Sequence, residues 1–240
     1  MRSVTPLAQI RGVLFDKDGT LLDYWKTWLP INREVALFAA DGDVGLSHRL
    51  LLVGGHDPVT DAVVAGSPLA GGGVREIADV FAHVLGARTP MHLTTEIDRI
   101  FSEGGARTAV AIEGARSAVL ALKAAGVKVG VATNDTVGGL EASLGRVGML
   151  DDFDFLVASD SGHGAKPLPG MALAFSAATA LDPSLIAVVG DSIHDLEMAR
   201  RARSGHAIAV LSGTAGRADL APHADLVLGS VCELPKLFGC

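Results

Sequence analysis

From Gly114 to the C-terminus, short β-branched runs alternate with Ala-rich stretches whose apolar residues recur at helical spacing. No other feature narrows the possible folds as far. Strands are expected at 127–133, 153–158, 185–190, 206–210 and 225–228, and helices at about 115–125, 136–147, 169–181, 193–203 and 215–220. Consecutive strands separated by a helix pair in parallel, and right-handed crossovers then lay helices on both faces of the sheet. Residues 12–15, where Val-Leu-Phe runs into Asp16, supply a further strand of the same kind.

The stretch from about 23 to 107 has a different texture. It carries helical periodicity at about 31–40, 45–53, 58–65, 74–86 and 93–103, almost no β-branched runs, and glycine joints at Gly54-Gly55 and Gly71-Gly72-Gly73. The economical division is an α/β core of residues 1–22 and 108–240, interrupted by an all-helical domain at 23–107. The triple glycine reads either as a flexible turn or as a cradle for a ligand.

Composition excludes several function classes. The mean hydropathy of +0.37 raises the question of a membrane span. However, charges or Asp-Pro break every apolar stretch before it reaches the roughly 20 residues a helical span needs. No signal peptide is readable at the N-terminus, so a cytoplasmic protein is expected. Cys232 and Cys240 lack the spacing of a zinc site or a disulfide framework. A formal net charge of −7 without a basic run speaks against nucleic acid as a partner.

Candidate chemistry gathers at the carboxyl ends of four expected strands, where an open parallel sheet places its ligand crevice. The first strand ends in Asp16-Lys17-Asp18-Gly19-Thr20. Two carboxylates two residues apart on extended backbone point the same way, so they can share a metal or divide nucleophile and proton-transfer roles. Lys17 is expected on the other side, partly solvated and without a role. The second strand runs into Thr133-Asn134-Asp135, a seat for phosphate at a helix N-terminus or, in the plainer reading, an N-cap. After the third strand comes Lys166-Pro167, with the lysine as an anion clamp. The fourth ends in Gly190-Asp191-Ser192-Ile193-His194-Asp195, where Asp195 falls on the face of Asp191 and His194 turns away as a surface residue.

These four patterns, in this order, resemble the haloacid dehalogenase superfamily, and the helical stretch lies where one branch carries a cap of the first type. The layout is similar to that of phosphoglycolate phosphatases and related small phosphatases. The resemblance implies a Rossmann-like parallel sheet core with helices on both faces and an inserted all-helical cap domain. It implies Asp16 as the nucleophile forming an aspartyl phosphate, and Asp18 as the acid and then the base. Thr133, Asn134 and Lys166 would bind the substrate phosphate. A Mg²⁺ cofactor would sit on Asp16, the Asp18 backbone carbonyl and Asp191, with Asp195 orienting Lys166 or a metal-bound water. Branches that cleave halides or phosphonates lack the second Asp of the first motif, so Asp18 favours a phosphate ester.

The resulting expectation is a Mg²⁺-dependent phosphatase, monomer or homodimer, acting on a small phosphorylated metabolite, with 2-phosphoglycolate as the leading candidate. The rivals are a phosphosugar mutase of the same superfamily and a non-catalytic phosphate-binding regulatory module. In the cap, Trp25 and Trp28 either close over the site or pack the hinge. Arg33, Arg49, Arg75 and His56 are the side chains able to meet a second anionic group.

Overall fold

Along β1 (Gly12–Phe15) the side chains alternate between two apolar layers. Val13 and Phe15 enter one cluster and Leu14 the other, so the strand is buried on both faces. The structure, a computed structural model, describes residues 5–240; the first four residues of the expected 1–22 segment lie outside the described residues. After β1 come α1 (Tyr24–Ala39), α2 (Val44–Val53), α3 (Pro68–Gly71), α4 (Val74–Leu85) and α5 (Leu93–Thr108). The chain then alternates through α6 (Ala115–Ala124), β2 (Lys128–Ala132), α7 (Val137–Arg146), β3 (Phe155–Val157), α8 (Gly170–Thr179) and β4 (Ile186–Gly190). It closes with α9 (Ile193–Arg201), β5 (His206–Val210), α10 (Arg217–Leu220), β6 (Leu226–Leu228) and α11 (Leu234–Phe238).

The sheet is entirely parallel in the order β3-β2-β1-β4-β5-β6, the doubly wound Rossmann-like arrangement. One face meets α6, α7 and α11 through Val119, Leu122, Leu140 and Leu234. The other meets α8 and α9 through Met171, Phe175 and Leu196. Gly130 makes the second contact possible, since a Cβ there would stand 2.9 Å from the Phe175 ring. The register sets Phe15 beside Val131 on one side and Val189 on the other. Asp16, Thr133 and Asp191 therefore leave the sheet at one edge.

Helices α1–α5 have an apolar interior of their own, built on residues such as Trp28, Ile31, Leu50, Ile77, Phe81 and Phe101. The two chain passages joining this block to the core are zipped together. Asp23 N–H donates to Val110 O at 2.8 Å, and Ile112 N–H to Leu21 O at 2.9 Å. Helix α5 also packs on α7 of the core. Its Gly105 lies against Ser143 of α7, while Gly104 lets α1 come close on the other side, since a Cβ there would lie 2.8 Å from Ile31.

Three local expectations change. Helix α1 starts at Tyr24 rather than 31, because Asp23 caps it by accepting from Lys26 N–H and the buried Tyr24 and Trp28 hold the turns before Pro30. Residues 58–65 are not a helix. Asp57 Oδ1 accepts from the N–H groups of Val59 and Thr60, Asp61 takes a positive φ of 59°, and His56 bridges to Val63. Finally, α11 close to the C-terminus was not anticipated.

Candidate active site

Lys166 organises the centre. Its ammonium donates to Asp16 Oδ1 at 2.5 Å and Asp195 Oδ1 at 2.6 Å, with all three side chains nearly buried. Burial alone would pull this lysine down, but the two carboxylates outweigh that and raise it, so the charge is retained. The other Asp195 oxygen closes the α9 capping box, taking Ser192 Oγ at 2.6 Å and Ser192 N–H at 3.1 Å. Asp195 is thereby engaged through both oxygens in positioning Lys166 and the start of α9.

Asp16 is different. Its Oδ2 is buried without a partner, and burial, together with nearby Asp195 and Asp18, pushes the carboxyl up to about 7 despite Lys166. Asp191 is likewise raised, by burial first and then by Asp16 and Asp195. One oxygen each of Asp16, Asp191 and Asp195 lie within 4.8 Å of one another, a grouping able to hold a metal ion. With Asp195 already engaged, Asp16 and Asp191 are the carboxylates open to such an ion. Gly19, at φ 83°, and Gly213 press on Asp191, and a Cβ on Gly213 would fall 1.7 Å from its Oδ2. Thr214 N–H donates to that same oxygen at 3.1 Å. The sequence reading gave this loop after β5 no role.

The linkage of Asp16 and Asp191 to pH has a definite sign. Between 3.8, the ordinary carboxyl value, and about 7, the folded protein holds a proton on Asp16 that the unfolded chain has released. Stability contributed by this proton is present at low pH and is lost as pH rises through that window. Urea denaturation in EDTA is therefore expected to show a loss of about 2–4 kcal/mol from pH 4 to pH 8 attributable to Asp16, with Asp191 acting in the same direction. Excess Mg²⁺ should recover stability at pH 8 but not at pH 4. Equal stabilisation by Mg²⁺ at both pH values would contradict the assignment.

Lys17 corrects the sequence reading outright. It is completely buried, donating to Asp18 Oδ1 at 3.1 Å and Asp135 Oδ2 at 2.9 Å, and it lies 5.0 Å from the centre of the Trp28 ring. Desolvation lowers it, yet Asp135 and Asp18 raise it further and keep it charged. Trp28 Nε1–H donates to Asp18 Oδ1 at 2.6 Å, so the first helix of the insertion grips a core carboxylate. Trp25 stays partly exposed and stacks edge-on against Tyr24.

Thr133 is buried, and its Oγ1 accepts from Asp135 N–H at 3.1 Å, which leaves the hydroxyl proton to donate. It does not cap α7; Thr136 does. The Asn134 side chain ties two segments together, accepting from Lys166 N–H at 2.8 Å and donating to Gly71 O at 3.2 Å. Any contact of Asn134 with phosphate therefore falls to its backbone. The Lys166-Pro167 peptide is cis.

A cavity of about 650 Å³, counted with its mouth, opens over these residues. Gly71 and Gly72 of the triple glycine line it, with their N–H groups taken by the Ser67 and Pro68 carbonyls. So does His194, half-buried rather than turned away. Arg33, Arg49, Arg75 and His56 do not line it. Arg33 pairs with Asp61, His56 is buried beside the same Asp61, and Arg49 and Arg75 are exposed. Tyr24 and Asn32, which do line the cavity, were missed; a polar Asn32 within the apolar stripe of α1 was the available signal.

The model of the haloacid dehalogenase-like hydrolases matches residues 10–203. The chain belongs to this family. An N-acetylmuramic acid 6-phosphate phosphatase of Pseudomonas aeruginosa is 28% identical over 194 residues, 81% of this chain and 79% of that protein. A phosphoglycolate phosphatase of Cereibacter sphaeroides is 30% identical over 195 residues, 80% of this chain and 81% of its own length. Among solved structures, a predicted phosphoglycolate phosphatase from Haemophilus somnus superposes with a TM-score of 0.71 at 18% identity, covering 95% of this chain and 98% of its own. A β-phosphoglucomutase from Clostridium difficile reaches 0.67 at 16% identity, covering 96% and 97%. At these identities the two structures speak for the hydrolase's fold.

Proposed function

We propose that this hydrolase is a Mg²⁺-dependent phosphomonoesterase that works through a phosphoryl group carried on Asp16, with residues 23–107 acting as a cap. The observation that carries the reading is the asymmetry of Asp16, a residue of the cavity wall with one oxygen clamped by Lys166 and the other buried and without a partner. A clamped carboxylate presents its free oxygen in one direction, as an in-line attack on phosphorus requires. The donor set fits Mg²⁺: Asp16 and Asp191 bring carboxylate oxygens together, Asp16 Oδ2 lacks a partner, and the family resemblance adds the Asp18 backbone carbonyl as a further hard oxygen. When bound, the ion supplies positive charge to the phosphoryl oxygens and to the crowded carboxylates.

The chain's own groups divide the remaining work. Lys166, the Thr133 hydroxyl and the Asn134 backbone N–H bind phosphoryl oxygens. Asp18 delivers a proton to the departing alkoxide oxygen and later takes one from the water that hydrolyses the aspartyl phosphate. In the structure Asp18 Oδ1 accepts from Lys17 and Trp28, which fixes the orientation of this carboxyl group at the cavity. The cap excludes bulk water while Trp28 and the triple-glycine loop contact the core.

The relatives named above act, by their names, on phosphoglycolate and on N-acetylmuramic acid 6-phosphate. They support a phosphomonoester and make 2-phosphoglycolate an early assay, while differing in the alcohol released. Purified protein is expected to hydrolyse p-nitrophenyl phosphate in the presence of Mg²⁺ and to stop when EDTA is added. Turnover insensitive to EDTA, or phosphate binding without turnover over a broad panel, would falsify the reading.

A further inference from the structure

The cavity has two chemically distinct halves. The core half is charged, with Asp16, Asp18 and Asp191 set against Lys166. The half contributed by the insertion is apolar, formed by Tyr24, Trp28, Leu69, Val74, Ile77 and Phe101, with Asn32 as its polar side chain among the described residues. No lysine or arginine of the insertion lines it. On the core half, the Lys166 ammonium is already shared by Asp16 and Asp195, and Lys17 is consumed by Asp18 and Asp135. His194 is the remaining basic group on the wall, and it stands on the core side.

From this division we infer that the alcohol released is uncharged beside the phosphoryl group, with an apolar face and at least one hydroxyl: a phosphorylated sugar or polyol rather than a phosphorylated hydroxy acid. The inference rests on the phosphatase reading and narrows its substrate. With the phosphoryl group on Asp16, the leaving alcohol extends into the insertion half. A carboxylate one carbon away would be stripped of water against Leu69, Val74 and Phe101 with no lysine or arginine on that half to meet it. A sugar ring instead lays its C–H face on aromatic and aliphatic surface. Asn32 Nδ2 donates to Tyr24 Oη at 3.3 Å, and Tyr24 Oη to Leu69 O at 2.5 Å. Nothing among the described residues donates to Asn32 Oδ1, which leaves an acceptor for a substrate hydroxyl.

The decisive comparison is 2-phosphoglycolate against its neutral isostere 2-phosphoglycolamide, with a hexose 6-phosphate and p-nitrophenyl phosphate run on the same Mg²⁺-loaded enzyme. The amide should exceed the acid in kcat/KM by about tenfold or more, since an unpaired buried charge is heavily penalised. The hexose 6-phosphate should exceed both. Val74→Arg, which brings a cation to the apolar wall, should narrow or reverse the ratio of amide to acid. If that variant does not fold, the wild-type ratio decides alone. Phosphoglycolate equal to or better than its amide overturns the inference, as does a hexose 6-phosphate slower than both. Either result leaves the phosphatase reading standing as long as p-nitrophenyl phosphate is turned over. Failure of all four substrates removes that reading and this one with it.

Discussion

Asp16→Asn is expected to lower kcat on p-nitrophenyl phosphate by about a thousandfold or more while the protein remains folded. The amide has the shape of the carboxylate and can still accept from Lys166, so the clamp at 2.5 Å has a replacement. It has no anionic oxygen to attack phosphorus. The substitution also takes one charge out of a crowd in which Asp18, Asp191 and Asp195 already press on Asp16. The melting temperature in EDTA should therefore stay level or rise. Acid-quenched wild-type enzyme mixed with labelled substrate should retain covalent phosphate, and the variant none. A variant keeping more than about a tenth of the wild-type rate would remove Asp16 as nucleophile.

The second large effect belongs to Lys166→Met, which should cost stability as well as activity. Breaking a buried ion pair by removing one partner typically costs about 3–5 kcal/mol, because the other charge is left without compensation. Here one ammonium serves two carboxylates. The loss should grow with pH. Near pH 5 Asp16, already pushed up to about 7, takes up a proton and relieves part of the deficit; at pH 8 it cannot. Chemical denaturation at the two pH values measures this directly. Combining Lys166→Met with Asp16→Asn should recover part of the stability lost by the first change alone, a coupling expected of residues in one network. Strict additivity of the two substitutions would mean that the contact carries little energy.

The parallel sheet was readable because its signal is local. Each β-branched run and each helical stripe lies within a few residues, and the chirality of crossovers supplies the remainder. Asp16, Thr133, Lys166 and Asp191 were readable for the same reason, since each closes an expected strand or the loop after it. Lys17 was misread because alternation along a strand says that it leaves the Asp16 side, not what waits on the other side. There the chain places Asp135 from the end of β2 and Trp28 from α1, 118 positions beyond Lys17 in the case of Asp135. Residues 58–65 failed differently. Apolar spacing suggested a helix, while the Asp57 side chain offered the backbone a competing set of hydrogen bonds. The basic residues of the insertion could be counted but not located. Only the packed structure shows Arg33 consumed by Asp61 and the cavity wall left to Leu69, Val74 and Ile77.

The pairing of Lys17 with Asp135 has a consequence for how this chain can change over generations. Both charges are buried, so a lineage that replaces Lys17 leaves Asp135 an unpaired interior charge, while one that replaces Asp135 leaves Lys17 to Asp18 alone. The second Asp of the first motif is bound into the same unit, because Lys17 also touches Asp18. A lineage altering this pair therefore alters the surroundings of Asp18 in the same step, and a change at Asp135, 118 positions from Lys17, becomes a route by which the proposed acid and base is retuned.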